Sequence, residues 1–219
     1  QTLTVNAGDG ITLSTNLTTN GTTIFDSDSD ASGTGSFSIA ANQILETNNN
    51  SLSITANDMV LGTNTVSSIN SGSTTLLASQ PSQAIRLGAG AGVNDFALSD
   101  SELGLITATN LIIGDNSNGT ITVDNVTSFS GPLTLNATAT GSAVNFSGTA
   151  SSGLGDITLN AGTGGISFGV DVGITGTLSL NTLGTSNATV LSNNNLILGT
   201  STIGGDLTAT VSGSNSLNV

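Results

Sequence analysis

Apolar and polar residues alternate in short segments along almost the whole chain. Examples are Leu3-Thr4-Val5, Ile11-Thr12-Leu13, Phe37-Ser38-Ile39, Leu52-Ser53-Ile54 and Ile121-Thr122-Val123. The same period returns at Leu133-Thr134-Leu135, Ile157-Thr158-Leu159, Leu178-Ser179-Leu180 and Leu207-Thr208-Ala209. Each segment puts apolar side chains on one face and Ser or Thr on the other, the period of two of a half-buried strand. Gly, Asn, Asp and Ser fill the intervals, and these residues tolerate tight turns and positive φ. The pattern predicts an all-β protein.

The segments also repeat. Gly, any residue, Leu or Ile, then Thr or Ser begins at Gly131, Gly155, Gly176 and Gly205, at intervals of 24, 21 and 29 residues. The first three share a continuation: Leu135-Asn136-Ala137, Leu159-Asn160-Ala161 and Leu180-Asn181-Thr182. Leu3-Thr4-Val5-Asn6-Ala7 opens the chain in the same way, and out-of-phase copies of the shorter pattern start at Gly119 and Gly164. Degenerate units of about 20 to 30 residues, each holding two or three short strand signals, predict a β-solenoid.

Composition strengthens that reading. Thr (35), Ser (31), Gly (29) and Asn (25) make up more than half of the 219 residues, while charged residues are 7% and aromatics 3%. In a parallel β-helix, equivalent residues of successive coils stack about 4.8 Å apart. Like charges at that spacing repel by about 0.9 kcal/mol per neighbour even in water, so a stacked fold should be poor in charge. Asn does the opposite, because its amide both donates and accepts along a ladder. At roughly 22 residues per coil the chain would form about ten coils, a rod near 48 Å long, right-handed as parallel crossovers are. The expectation is one right-handed parallel β-helix over residues 1–219. The rival is a β-sandwich or tandem pair of sandwiches, which the hairpin-type pairs Asn20-Gly21 and Asn118-Gly119 favour locally.

Charge and missing residue types exclude much chemistry. The net charge is −13, Arg86 is the one Lys or Arg, and there is no His, Cys, Trp or Tyr. Imidazole bases, thiolate nucleophiles and ordinary zinc sites are therefore absent. One cation cannot neutralise a phosphate backbone, so nucleic acid is excluded as a partner. No apolar stretch approaches the roughly 18 residues a spanning helix needs, so membrane insertion is not expected. The start at Gln1-Thr2-Leu3 reads as a segment of a longer chain. The pI near 4.1 with so few cations points to export.

One region departs from the repeat. Gln83-Ala84-Ile85-Arg86-Leu87-Gly88 leads into a Gly/Ala stretch and then Leu98-Ser99-Asp100-Ser101-Glu102-Leu103-Gly104-Leu105-Ile106-Thr107. Ser99 with Glu102 three residues on forms a capping box. This predicts a short helical excursion near residues 98–107, with Leu98, Leu103 and Ile106 packed on the solenoid, inside an insertion spanning about 89–110. Across Thr75 to Val126, the stretches IRLG, LSDSELGLITATNLIIGD and NGTITV resemble a recurring segment of very large bacterial surface exoproteins, the filamentous-haemagglutinin-like β-strand-repeat proteins. Their segments typically read LG…LSDAELDRITA…L.IG…G.I.V. The match covers about a quarter of the chain, and Gly104 and Leu105 stand where that pattern usually carries charge. The resemblance implies a β-helical shaft displayed at the bacterial cell surface, serving adhesion, aggregation or biofilm.

Carboxylates are the only reactive groups in quantity. Asp26, Asp28 and Asp30 alternate as in a calcium loop, followed by Ser32-Gly33. However, Ala31 and Phe37 occupy the positions where an EF-hand needs Gly and Glu, and the other reading is a solvated acidic loop. No cofactor is expected beyond calcium at this loop. Asp100 and Glu102 are the nearest pair for glycoside hydrolysis, but they read first as caps, so no enzyme is expected. Isolated Thr138-Ala139-Thr140 and Thr208-Ala209-Thr210 do not form the array that ice binding needs. The expected role is a structural segment of a secreted surface fibre or adhesin. Its partners would be neighbouring segments of the same chain, identical subunits stacked end to end into a filament, or cell-surface glycans.

Overall fold

The structure, a computed structural model, describes residues 1–62, 68–90, 92 and 94–219. The chain winds as an all-β, right-handed parallel solenoid of about nine turns with a minor helical excursion. The first coil carries β1 (Leu3–Asn6), β2 (Ile11–Leu13) and β3 (Leu17–Thr18), and the second carries β4 (Thr23–Asp26), β5 (Ser36–Ile39) and β6 (Ile44–Glu46). β7 (Leu52–Ala56), β8 (Asp58–Leu61) and the long β9 (Ser68–Ala78) follow. Next come β10 (Ile85–Gly88), β11 (Phe96–Leu98), α1 (Asp100–Leu103) and β12 (Ile106–Ile113). The remaining coils contribute β13 (Ile121–Asp124), β14 (Leu133–Ala137), β15 (Ala143–Phe146), β16 (Ile157–Ala161), β17 (Gly165–Phe168), β18 (Thr177–Thr182), β19 (Ala188–Ser192), β20 (Leu196–Leu198), β21 (Leu207–Val211) and β22 (Leu217–Asn218).

One face is a continuous ladder in the order β1-β4-β7-β9-β12-β14-β16-β18-β20-β22. Ten rungs enclose nine turns, one fewer than the coil estimate from sequence, so the stack is about 43 Å long at 4.8 Å per rung. The second face holds two ladders, β2-β5-β8 and β11-β10-β13-β15-β17-β19-β21. A third, narrower face begins with β3 and β6, which stack on the first part of β9. It continues through bridges such as Leu154 to Ile174. Among the described residues every strand pair named is parallel, which removes the sandwich alternative. Asn20-Gly21 and Asn118-Gly119 lie at corners between parallel strands rather than in hairpins, because each following strand pairs with the neighbouring coil.

The spacings read from the sequence are the ladder registers. Leu133 pairs Ile157 and Ile157 pairs Leu178, the intervals of 24 and 21 residues. The unit at Gly205 breaks this: Leu207 stacks on Ala188 of β19, on the second face. The out-of-phase copies at Gly119 and Gly164 precede β13 and β17 of that same face. Phase in the repeat therefore encodes the face, since both faces need an apolar-polar strand entered from a glycine-rich corner.

Alternate residues turn inward. In β7, β14, β16 and β19 the first, third and fifth residues are buried and the two between are half-buried. The interior is filled by Leu, Ile, Val and Ala with few aromatics. Phe25 meets Phe37 at 5.1 Å between ring centroids, and Phe146 meets Phe168 at 4.3 Å. Coils approach closely at corners, where glycine is required. A Cβ at Gly88 (φ 92°) would run into the Asp124 carbonyl oxygen, in a left-handed conformation that L side chains rarely adopt.

The region around α1 differs from a simple insertion over 89–110. β11 and β12 both pair into the sheets, and only Asp100–Leu103 is helical. Ala91 and Val93 lie outside the described residues. The helix stops at Gly104 because Ile106–Ala108 pair with Ile69–Ser71, and a ladder that buries Ile106 outcompetes a second helical turn. Leu98, Leu103 and Ile106 are buried on the solenoid, as their spacing predicts. β11 follows β10 in sequence but lies on the side of β10 away from β13, so this coil lays two strands on the second face.

Candidate functional site

Each carboxylate singled out in the sequence is engaged by the protein's own donors. Asp28 is buried, only 2% exposed. It accepts from Ser32 N and Oγ at 3.1 and 3.0 Å, Gly33 N at 3.0 Å, Ser79 Oγ at 2.5 Å and Gln80 Nε2 at 3.3 Å. Ser79 and Gln80 follow β9, so the side chain reaches past the β7 coil to clamp corners two rungs apart. Burial by itself would raise the Asp28 carboxyl, but the bonds from Ser79, Ser32, Gly33 and Gln80 together outweigh it and hold it at about 2. Asp26 Oδ1 takes the Asp28 N–H at 3.3 Å and Asp30 Oδ1 takes the Ser32 N–H at 3.2 Å. The loop thus closes on itself through Ala31 at φ 52°. Among the described residues no group of three or more His, Cys, Asp or Glu could hold a metal ion.

Asp100 and Glu102 form a bracket. The capping box is present, with the Ser99 side chain accepting from Glu102 N and Glu102 accepting from Ser99 N at 2.9 Å. Glu102 Oε1 also accepts the Leu61 N–H of β8 at 2.9 Å. In the other direction, Asp100 accepts from the backbone N–H and hydroxyl of both Thr127 and Ser128, at 2.7 to 2.8 Å. Burial opposes ionisation of Asp100, yet these four bonds prevail and its carboxyl sits below the ordinary range. Both carboxylates are thus engaged as inter-coil acceptors, and Glu102 also closes the cap that its spacing from Ser99 predicts.

Glu102 belongs to a seam that the sequence did not disclose. Where the second face breaks between β8 and β11, Asp58 Oδ1 accepts the Ala97 N–H at 3.0 Å while Glu102 accepts from Leu61. Two carboxylates thus replace the backbone carbonyls of a missing ladder. Burial pushes the Asp58 carboxyl up, with a smaller push from the charge on Glu102.

The same device recurs at other corners, where a side-chain oxygen takes a backbone N–H of the next coil. Asp156 Oδ1 accepts from Thr177 N at 2.8 Å, Asn187 Oδ1 from Asp206 N at 2.8 Å and Asn195 Oδ1 from Ser216 N at 2.9 Å. Among the described residues no paired position on the strands sets one carboxylate against another. Acidic residues are tolerated at corners, where a staple compensates them.

On the first face Asn136, Asn160 and Asn181 lie in register. Asn181 Nδ2 donates to Asn160 Oδ1 at 2.8 Å, Asn160 Nδ2 donates to Asn136 Oδ1 at 2.6 Å, and Thr202 N closes the run on Asn181 Oδ1 at 3.1 Å. The one ion pair among the described residues joins Arg86 Nε to Asp95 Oδ2 at 2.8 Å. Gln83 is a buried hub, donating to Asn57 O, Asn57 Oδ1 and Asn94 O and accepting from Gln80 N. Nothing in its sequence context marked it. Among the described residues no helix is long and apolar enough to cross a membrane.

No protein-family model, curated protein or solved structure matches the chain. Asp28, Asp58, Asp100, Glu102 and Asp156 are taken up in joining one coil to another. The protein is a β-solenoid structural module.

Proposed function

We propose that this module is a stretch of the shaft of an exported bacterial cell-surface fibre or adhesin, with a part in adhesion or biofilm. The observation that carries the reading is the state of the end coils. Leu3, Val5, Ile11, Leu13 and Leu17 occupy inward positions yet are only partly buried, and Leu207, Leu217 and Val219 are exposed at the other end. The matching positions inside the stack are fully covered, as at Leu52, Ile54, Leu159 and Leu180. β1 and β22 each pair on one side only, and an open strand edge is a template for another strand. An end coil of this kind can accept a further coil, and the segment resembling filamentous-haemagglutinin-like exoproteins fits that use. Immunolabelling of intact cells producing the parent chain tests it: label at the surface is expected, and label only after permeabilisation overturns it.

The same open ends favour a second reading, in which identical subunits stack end to end into an extracellular filament. Electron microscopy of the purified chain separates the two. Fibres that lengthen with concentration favour stacking, and monodisperse rods favour the shaft. Cell-surface glycans are the partner proposed for such a fibre, and a glycan array that stays blank removes them.

A further inference from the structure

We propose that Asn20 is a site of spontaneous deamidation, a covalent modification that the fold promotes at this corner and suppresses at the chain's other Asn-Gly pair. In this reaction the Gly21 backbone nitrogen loses its proton and attacks the Asn20 Cγ. The Cγ–Nδ2 bond breaks, ammonia leaves, and water opens the resulting succinimide to aspartate or isoaspartate. Water is the only co-reactant, with no redox change.

The two pairs, Asn20-Gly21 and Asn118-Gly119, sit in opposite environments. Asn20 is exposed at the corner between β3 and β4. Among the described residues the Gly21 N–H meets no acceptor, so the attacking nitrogen is uncommitted. Asn48 Nδ2 donates to Asn20 Oδ1 at 2.5 Å. A donor on that oxygen polarises the Cγ carbonyl and stabilises the negative charge that develops on it during attack. Gly21 is half-buried against the Gln1 backbone and has no side chain of its own over its nitrogen.

Asn118 is held against the same reaction. It is 1% exposed, which keeps hydroxide away from the pair. Its Oδ1 accepts the Asp115 N–H at 2.5 Å and its Nδ2 donates to Gly119 O at 2.8 Å, so the amide is fixed at both atoms. The nucleophile is fixed as well, because Gly119 N donates to Gln83 O at 2.7 Å. Attack would require breaking that bond in a buried corner and turning the side chain out of its own.

Conversion changes the stack locally. Thr18 pairs Glu46, and Glu46 Oε1 holds the Asn48 N–H at 2.8 Å. A carboxylate at position 20 would share Asn48 with Glu46, adding like charge to neighbouring corners, and the isoaspartyl form would lengthen the backbone between β3 and β4.

The test is peptide mapping by mass spectrometry after incubating the whole chain in mildly alkaline buffer, folded and in denaturant. In the folded chain Asn20 is expected to gain one mass unit at least about tenfold faster than Asn118, a gap of about 1.4 kcal/mol in barrier. In denaturant the two rates are expected to converge. Equal rates in the folded chain, or faster conversion at Asn118, would overturn the proposal. Asn48→Gly, which keeps the left-handed backbone at φ 48° and removes the donor, is expected to slow conversion at Asn20 severalfold, and an unchanged rate would refute the part given to Asn48.

Discussion

Asn160 donates its side-chain amide to Asn136 Oδ1 one coil below, at 2.6 Å, while its own Oδ1 accepts from Asn181 Nδ2 one coil above at 2.8 Å. A single neutral side chain thus joins three rungs. The position tolerates this because an amide carries a donor and an acceptor on separate atoms, one toward each neighbouring coil, which a carboxylate or alkyl group does not.

Replacing Asn160 by Ala therefore removes two ladder bonds. The expected loss is about 2 kcal/mol, at about 1 kcal/mol per bond, read as a lower urea midpoint with an unchanged slope. Asn160→Asp should lose more, because it cannot donate to Asn136 and places a charge within the ladder. Variants as stable as the parent would show that the amides face solvent independently.

The α1 bracket predicts a second loss. Asp100→Ala leaves the Thr127 and Ser128 N–H groups without their acceptor, at a cost of about 2 to 3 kcal/mol for bonds to a charged group. Hydrogen exchange should quicken at Thr127 and Ser128 first. Ser99→Ala removes the cap itself and should cost about 1 kcal/mol. Exchange at Thr127 that is indifferent to Asp100 would contradict the bracket.

Acid and neutral pH should act oppositely on two carboxylates, the buried Asp28 and the half-buried Asp58. Asp28 is held at about 2 against an ordinary 3.8. Its stabilisation is complete above pH 3.8 and disappears as pH falls toward 2. Asp58 is raised, so its ionisation opposes folding, and stability is gained as pH falls through its folded value toward 3.8. Asp28→Asn should thus destabilise the protein near neutral pH and lose that effect in acid. Asp58→Asn, whose amide oxygen can still accept from Ala97, should be neutral or stabilising near neutral pH. Parallel pH-stability curves for both variants would refute the assignment.

Charge stacking can be measured directly. Thr134 and Thr158 face outward on paired strands. The double variant Thr134→Glu with Thr158→Glu should be about 1 kcal/mol less stable than the sum of the single changes, from two charges 4.8 Å apart in water. Thr134→Lys with Thr158→Glu should show coupling of opposite sign, and both terms should shrink at high salt.

Much of this fold is legible in the residues. Alternation names the strands, the Leu-Asn-Ala units name the register of β14, β16 and β18, and the Ser99–Glu102 spacing names the cap, because each depends on neighbours in sequence. Other features depend on what lies a coil away. Leu207 carries the same local pattern as Leu133 but belongs to the second face, and only the coil path decides between faces. Asp28 looks like a cation ligand among Asp26 and Asp30 until Ser79, 51 residues on, is brought to 2.5 Å. Asp58 and Gln83 gave no signal, since their partners Ala97 and Asn94 arrive from a strand that doubles back.

Distances along one outward column test the stack itself most directly. Thr4, Ile24, Ser53, Thr75, Ile112, Thr134, Thr158 and Ser179 occupy successive rungs of the first face. The chain has no native cysteine, so spin labels can be placed at will by Thr4→Cys, Thr75→Cys and Ser179→Cys. Electron-electron resonance should give backbone separations near 14 Å for Thr4 to Thr75, 19 Å for Thr75 to Ser179 and 34 Å for Thr4 to Ser179, at about 4.8 Å per rung. Separations that add in this way establish the spiral. A Thr4 to Ser179 separation near or below that of Thr75 to Ser179 would mean that the chain folds back on itself, and would contradict it.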